Sequence, residues 1–243
     1  LPYALFRVAR RHHGDAGWWT WPAAVRQRQP EAMGQLLQGA ATEIREIAFE
    51  QWLFDQQWLA LRARARSHGI GLIGDLPIYV DLDSADVWWH RRLFRVDDDG
   101  RPEALAGVPP DYFSAEGQLW GNPLYDWDAM RADGFRWWLD RVQAQLRWFD
   151  FLRIDHFRGL EAYWQVPVGA TSARTGSWRT APGAELLTAR GAACGGQPFL
   201  AEDLGTITPA GQVFVGRLGL PGRSFAPFPF AGSPNKPSLP PNT

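Results

Sequence analysis

Two short stretches of the 243-residue chain run a hydrophobic segment into an acid: Phe151-Leu-Arg-Ile-Asp-His-Phe157 and Pro198-Phe-Leu-Ala-Glu-Asp-Leu204. An apolar run of strand length that ends in Asp or Glu sets the charge at the C-terminal end of a buried parallel strand, where α/β enzymes assemble their chemistry. Asp155 and Glu202 are therefore the first candidates. Two such carboxylates can serve as a nucleophile and a general acid/base, provided that one stays ionised and the other stays protonated until it is needed. Arg153 precedes Asp155 by two positions on the same predicted strand, so both side chains point to one side. A guanidinium there keeps Asp155 ionised, as a nucleophile must be, although a plain buried ion pair would look the same. Asp203 points to the opposite face from Glu202 on an extended strand and takes a supporting role. His156 reads as a hydrogen-bonded neighbour of the site rather than a catalytic base.

The elements that must position these groups follow from periodicity. Residues 42–66 predict a helix with one broad buried face, built from Ile44, Ala48, Trp52 and Leu59 with Phe54, Trp58, Leu61 and Ala65 offset, and Gly69 suits the left-handed position after its end. Residues 70–80 predict a buried strand that ends near Asp75 and turns outward at Pro77. A second helix over 133–148, with Phe135, Trp138, Leu139, Val142 and Leu146 on its apolar side, leads into a strand over 149–154. A weaker helix at 184–190 precedes the strand Phe199-Leu-Ala. This alternation implies right-handed βαβ units, hence an α/β fold with a parallel sheet. A closed (β/α)8 barrel is favoured over an open doubly wound sheet because no phosphate-binding glycine loop follows a strand. Gly69-Ile-Gly-Leu-Ile-Gly74 fits that loop by letter but lies before and within its strand.

Bulk composition narrows the partners. Lys and Arg total 25 against 26 Asp and Glu, so a nucleic acid or an anionic membrane gets no electrostatic support. The single cysteine, Cys194, excludes an intrachain disulfide and fits a reducing compartment. No apolar stretch reaches the roughly 20 residues of a membrane span, and the N-terminus lacks the order of a signal peptide, which predicts a soluble, cytoplasmic protein. Fourteen Trp and 14 Phe are unusual for this length. Most serve as core, but indole and phenyl rings also stack on the C–H faces of pyranose rings in pockets for neutral sugars.

Residues 81–133 read as a long insertion rich in Gly, Pro and Trp with no helix of its own, and loops of that length are usually functional. Within it, Asp97-Asp-Asp-Gly-Arg101 is a hairpin turn rather than a calcium loop, since its acids lack the alternating spacing and the distal Glu. Gly107-Val-Pro-Pro-Asp-Tyr-Phe-Ser114 is a rigid turn that presents two adjacent aromatics. Asp81, Asp83 and Asp86 read as strand-end and helix-capping acids, not a metal cluster.

Taken in order, Gly74-Asp-Leu-Pro-Ile-Tyr-Val80 with Ser84-Ala-Asp-Val-Trp88, Gly107–Ser114, Gln118-Leu-Trp-Gly-Asn-Pro-Leu-Tyr125, Arg153-Ile-Asp-His-Phe-Arg-Gly159 and Ala201-Glu-Asp-Leu-Gly205 resemble the amylomaltases. These are 4-α-glucanotransferases of glycoside hydrolase family 77, and the likeness runs from about residue 1 to about residue 222. It implies a (β/α)8 TIM barrel with insertions, of which the three predicted strands are the third, fourth and fifth. It also implies transfer of α-1,4-glucan segments by a retaining double displacement. The resemblance makes Asp155 the nucleophile, Glu202 the acid/base and Arg153 the arginine beside the nucleophile. It makes Asp75 a substrate-contacting acid and Tyr112 and Phe113 the aromatic tip of a loop over the acceptor side. Trp120 and Asn122 then line the groove, with His156 and Asp203 beside it. The implied partners are α-1,4-glucans and maltooligosaccharides, with glucose or maltose as acceptor, and no cofactor or metal.

On that resemblance residues 1–222 form the central part of the catalytic barrel and 223–243 a Pro-rich tail where the family has a strand. The first two strands and the later ones, with a third carboxylate in a His-Asp motif, are expected outside the chain. Three readings differ in class: a glucanotransferase, a related α-1,4-glucan hydrolase, and a non-catalytic glucan-binding fragment lacking that carboxylate. The loop around Tyr112 and Phe113 favours transfer over hydrolysis.

Overall fold

A computed structural model describes residues 1–111, 114–194, 199–202 and 222–223. The chain opens with helices α1 (Pro2–His12), α2 (Ala23–Arg26), α3 (Pro30–Gly39) and α4 (Ala41–Ser67) before strand β1 (Ile73–Pro77). Pro2 starts α1, where its missing N–H costs nothing, and Leu5, Val8 and Ala9 give it a fully buried stripe. That stripe meets α5 (Ala85–Trp89), and the rings of Phe6, Trp21 and Trp88 join the two helices at 5.6–6.0 Å. Each buried indole there is satisfied: Trp18 donates to the Leu82 carbonyl at 2.6 Å and Trp21 to that of Ala16 at 2.9 Å.

Helix α4 differs most from expectation. It has the predicted extent and ends as predicted, with Gly69 at φ +72° and the amides of Gly69 and Ile70 bonded to Arg66 and Ala65. Its broad buried face is not there. Only Ile44 and Ile47 are buried, while Phe49, Trp52, Leu53, Phe54 and Leu61 are exposed. The helix docks instead through a stripe of mixed polarity, Asp55, Trp58, Arg62 and Arg66, against the end of α7 (Arg136–Trp148). Arg62 donates to the carbonyls of Leu146, Arg147 and Phe149, which are acceptors the end of α7 leaves open. Apolar periodicity located the helix and the inward Ile44 and Trp58 but not Asp55, Arg62 and Arg66 beside them, because guanidinium-to-carbonyl docking carries no apolar signal.

The segment after β1 is built, not loop. It contains α5, then β2 (Ala104–Val108), β3 (Gln118–Pro123) and α6 (Trp127–Ala132). Asp97-Asp-Asp-Gly-Arg101 forms the expected turn, with Gly100 at φ +82° and the Asp97 carboxylate accepting from the amides of Asp99 and Arg101. Capping there belongs to Ser84 on α5 and Asp126 on α6, not to the acids at 81, 83 and 86. Asp83 pairs with Arg10 at 3.1 Å, Asp81 accepts from the Asp83 amide, and Asp86 accepts from the Trp137 indole. Helix α7 starts three residues later than predicted, because Gly134 and Phe135 both take positive φ and break it from α6.

β4 (Phe151–Asp155) follows α7 and pairs in parallel with β1. The chain continues through β5 (Ala162–Pro167), β6 (Ser177–Thr180), α8 (Gly183–Cys194), β7 (Phe199–Glu202) and β8 (Gly222–Arg223). The strands form two sheets: a parallel one in the order β1-β4-β7-β8 and an antiparallel one in the order β3-β2-β5-β6. The βαβ alternation predicted the first, and β1, β4 and β7 stand side by side in chain order. Among the described residues this sheet is open rather than closed into a barrel. The second sheet escaped prediction because its strands come from both sides of β4. β8 straddles the expected boundary after residue 222, and the rest of the Pro-rich tail lies outside the described residues.

Gly74 shows why β1 and β4 approach so closely at the end of α7. A Cβ there would lie 2.4 Å from Phe149 Cδ2 and 2.9 Å from Leu152 Cδ2. A glycine lets the Phe149 ring cross the strand.

Candidate active site

Along β4, Leu152 and Ile154 are buried, so the alternate residues Arg153 and Asp155 take the other face. On β1, Gly74 and Leu76 are buried and Asp75 is not. The register sets Asp75 opposite Arg153 and Pro77 opposite Asp155, which brings all three polar residues to one side of the sheet. Arg153 Nη1 donates to both Asp75 oxygens at 2.6 Å, and its Nη2 donates to Asp155 Oδ1 at 3.0 Å. One guanidinium thus bridges two carboxylates, an arrangement of charge-assisted bonds that fixes the planes of both. The Asp155 side chain remains 44% exposed, within reach of a substrate. Asp75 departs from expectation in place: it lies in the middle of an alternating strand rather than at the end of a buried one, and it holds Arg153.

Past Asp155 the backbone of His156 turns through φ +52°, a left-handed conformation that costs a non-glycine residue about 1 kcal/mol or more. The turn stands the imidazole edge-on to Trp120, with ring centroids 5.0 Å apart and planes at 88°. Trp120 is itself held by a 3.0 Å bond from its indole to Gln118 Oε1 and by contact with Tyr79 at 6.2 Å. Burial, with Tyr125 and Tyr163 nearby, pushes the Tyr79 hydroxyl well above its ordinary pKa and keeps it protonated. Asn122 donates its side-chain amide to the Val80 carbonyl at 2.9 Å, which braces β3 against the end of β1. The structure therefore brings Asp75, Arg153 and Asp155 together and sets His156 and Trp120 beside them.

Glu202 is the last residue of β7. The register pairs Arg153 with Leu200 and Ile154 with Ala201, so the next position along each strand is Asp155 on one and Glu202 on the other. Asp203, Tyr112 and Phe113 lie outside the described residues. The base of the loop that carries the two aromatics is closed by the Asp111 amide on the Ser114 carbonyl, the Ser114 amide on Asp111 Oδ1, and the Ser114 hydroxyl on the Gly117 carbonyl. Among the described residues no three His, Cys, Asp or Glu are grouped to hold a metal, and no helix is long and apolar enough to cross a membrane.

Sequence reasoning missed two contributors. Asp150 bonds both the amide of Leu72 and the guanidinium of Arg62, and so ties β4 to β1 and α4. Arg158 stacks on Trp178 just past His156. An acid directly before an apolar strand was a usable signal for the first; nothing in the sequence pairs residues 158 and 178. A cleft of about 1110 Å³ lies elsewhere and is lined in part by Trp89, Arg95, Asp126, Arg131 and Glu185. Its size does not make it the reactive centre. Arg131 is held by Asp128 and Glu185, Arg95 by Glu103, and Arg91 by Asp98, so much of its charge is engaged within its own walls.

A 4-alpha-glucanotransferase of Thermus thermophilus is 46% identical over 240 residues, covering 99% of this chain and 48% of the relative. One from Synechocystis sp. is 45% identical over 240 residues, covering 98% and 48%. Among solved structures, an amylomaltase from Streptococcus agalactiae in complex with acarbose superposes with a TM-score of 0.88 at 39% identity, over 91% of this chain and 45% of its own. The chain thus spans about half the length of the relatives it matches. The family model for 4-alpha-glucanotransferase matches residues 1–243, so the protein whose β4 and β7 end in Asp155 and Glu202 belongs to glycoside hydrolase family 77.

Proposed function

We propose that the protein transfers α-1,4-glucan segments from a donor to a sugar hydroxyl by a retaining double displacement, on a (β/α)8 barrel with insertions. The observation that carries this reading is the register of β4 and β7, which sets Asp155 and Glu202 at matching positions on adjacent parallel strands. Such positions are ~4.8 Å apart from strand to strand, a spacing compatible with the ~5–5.5 Å between carboxyls that retaining enzymes use. Asp155, beside the Arg153 guanidinium, attacks the anomeric carbon while Glu202 protonates the departing glycosidic oxygen. A glucosyl ester on Asp155 results, with its configuration inverted. Glu202, now a carboxylate, takes the proton of the incoming hydroxyl of glucose, maltose or a longer glucan. That oxygen displaces Asp155 and restores the original configuration. Asp75 keeps Arg153 in line with the nucleophile, Trp120 and His156 form one wall, and Tyr112 and Phe113 cover the acceptor side.

Asp155→Asn tests the assignment. Loss of the nucleophile should lower maltotriose disproportionation by about 10⁴-fold or more. The fold should survive, since Arg153 keeps its bonds to Asp75. A pure, folded variant that retains more than a small fraction of the activity would show that Asp155 is not the nucleophile.

A further inference from the structure

Of the 14 tryptophans, three keep more than a third of their surface in water: Trp52 at 55%, Trp120 at 36% and Trp178 at 37%. Trp52 leans on exposed Phe49 along the outer side of α4, and Trp120 belongs to the candidate site. Trp178 has no part in the chemistry described above, yet it is held on two sides. The Arg158 guanidinium lies 3.8 Å from its ring centroid, and Trp164, its register partner on β5, meets it at 5.2 Å with planes at 67°. Trp164 is fixed in turn by a 2.8 Å bond from its indole to the Ala173 carbonyl. The chain also presses on Trp164 at Gly176, where an added Cβ would lie 2.2 Å from its Nε1.

An exposed indole locked in one orientation has already given up the side-chain freedom that binding would otherwise remove. The guanidinium covers one face of the ring, and 37% of the residue's surface stays open to solvent. Its position ties it to the reactive strand. Arg158 follows Asp155 by three residues, in the single helical turn Phe157–Leu160 that continues from His156. Trp120 reaches this turn through His156, and Trp178 reaches it through Arg158. Two exposed indoles therefore flank the backbone that leaves the nucleophile.

We propose that Trp178 is a stacking platform for a pyranose unit of a long α-glucan, beyond the units that react at Asp155, with Arg158 as the positioning residue beneath it. The proposal rests on the glucan reading above. A neutral ligand with an apolar C–H face fits a flat indole whose cation is already engaged, on a chain with a net charge of -1. Such a platform acts on chains long enough to reach it and leaves short sugars unaffected.

Calorimetric titration of the purified protein with maltose and with maltoheptaose, for wild type, Trp178→Ala and Trp178→Phe, tests this. Trp178→Ala should weaken maltoheptaose binding about tenfold, the effect of losing one good contact, and leave maltose within about twofold. Trp178→Phe should restore most of the loss. A merely structural indole predicts instead a lower melting temperature with both sugars affected alike, and that result overturns the platform, as does an unchanged maltoheptaose affinity. A wild-type protein that binds neither sugar would refute the glucan reading itself, and the platform with it.

Discussion

Asp150→Asn tests how the fold holds the reactive strand in register. The Asp150 side chain is 12% exposed and lies between three elements. Its Oδ2 accepts from the Leu72 amide at 2.8 Å, and its Oδ1 accepts from Arg62 at 2.9 Å and from Arg66 Nε at 2.8 Å. The Asp150 amide returns a 2.8 Å bond to the Leu72 carbonyl. The Leu72 amide, and after it the two arginines, hold the carboxyl at a pKa of about 2 against the partial cost of burial. The drop from the ordinary 3.8 corresponds to about 2 kcal/mol of stability. With Arg66 59% exposed, solvent screening brings this to about 1–2 kcal/mol. Asn also leaves Arg62, 13% exposed, without a counter-charge, so the expected cost at pH 7 is about 2–3 kcal/mol, or about 5–10 °C in Tm for a chain of this size. The sign with pH is fixed by the depressed value. The wild-type advantage is complete above the ordinary carboxyl range, shrinks as pH falls from about 4, and is lost by about pH 2. Urea titrations followed by tryptophan fluorescence at pH 7 and at several acid points measure it. A cost below about 0.5 kcal/mol at pH 7, or one as large at pH 2 as at pH 7, would refute the reasoning.

Two further outcomes concern the chemistry. Glu202→Gln should slow donors whose leaving sugar needs a proton far more than α-glucosyl fluoride, whose fluoride departs unaided; equal slowing of both would remove Glu202 from the acid/base role. Replacing Tyr112 and Phe113 together with Ala should shift products from transferred oligosaccharide toward glucose and new reducing ends, because an acceptor held over the intermediate also keeps water from it. Both products are measured in one assay, and an unchanged ratio counts against an acceptor-side role.

What the sequence made legible was local and periodic. The strands ending in Asp155 and Glu202, the Gly69 helix end and the Asp-Gly turn each depend on a few adjacent residues, and each stands where it was expected. The fold-level errors share another origin. The antiparallel sheet pairs β2 with β5, about 60 residues on, and α4 meets α7 through Arg62 and backbone carbonyls. Neither contact leaves a hydrophobic period behind. The bond from the Asn122 amide to the Val80 carbonyl is likewise a contact that only the folded chain brings about.

The site depends on register more than on any one contact. Side chains on β1 alternate between core and open face, so a slip of one residue against β4 would turn Asp75 into the core and bring Gly74 or Leu76 to the face of Arg153. Two fasteners oppose that slip along the same strand pair: Asp150 on Leu72 just before its start, and Arg153 on Asp75 at its middle. The second is the more exposed, with Asp75 60% open to solvent, and such a pair adds little stability alone. The first is sheltered and holds the alignment without help from the reacting groups. Arg153 therefore does not have to supply the order of its own strand and can serve Asp75 and Asp155, which is why the device that keeps the nucleophile aligned sits at the end of β4 away from the chemistry.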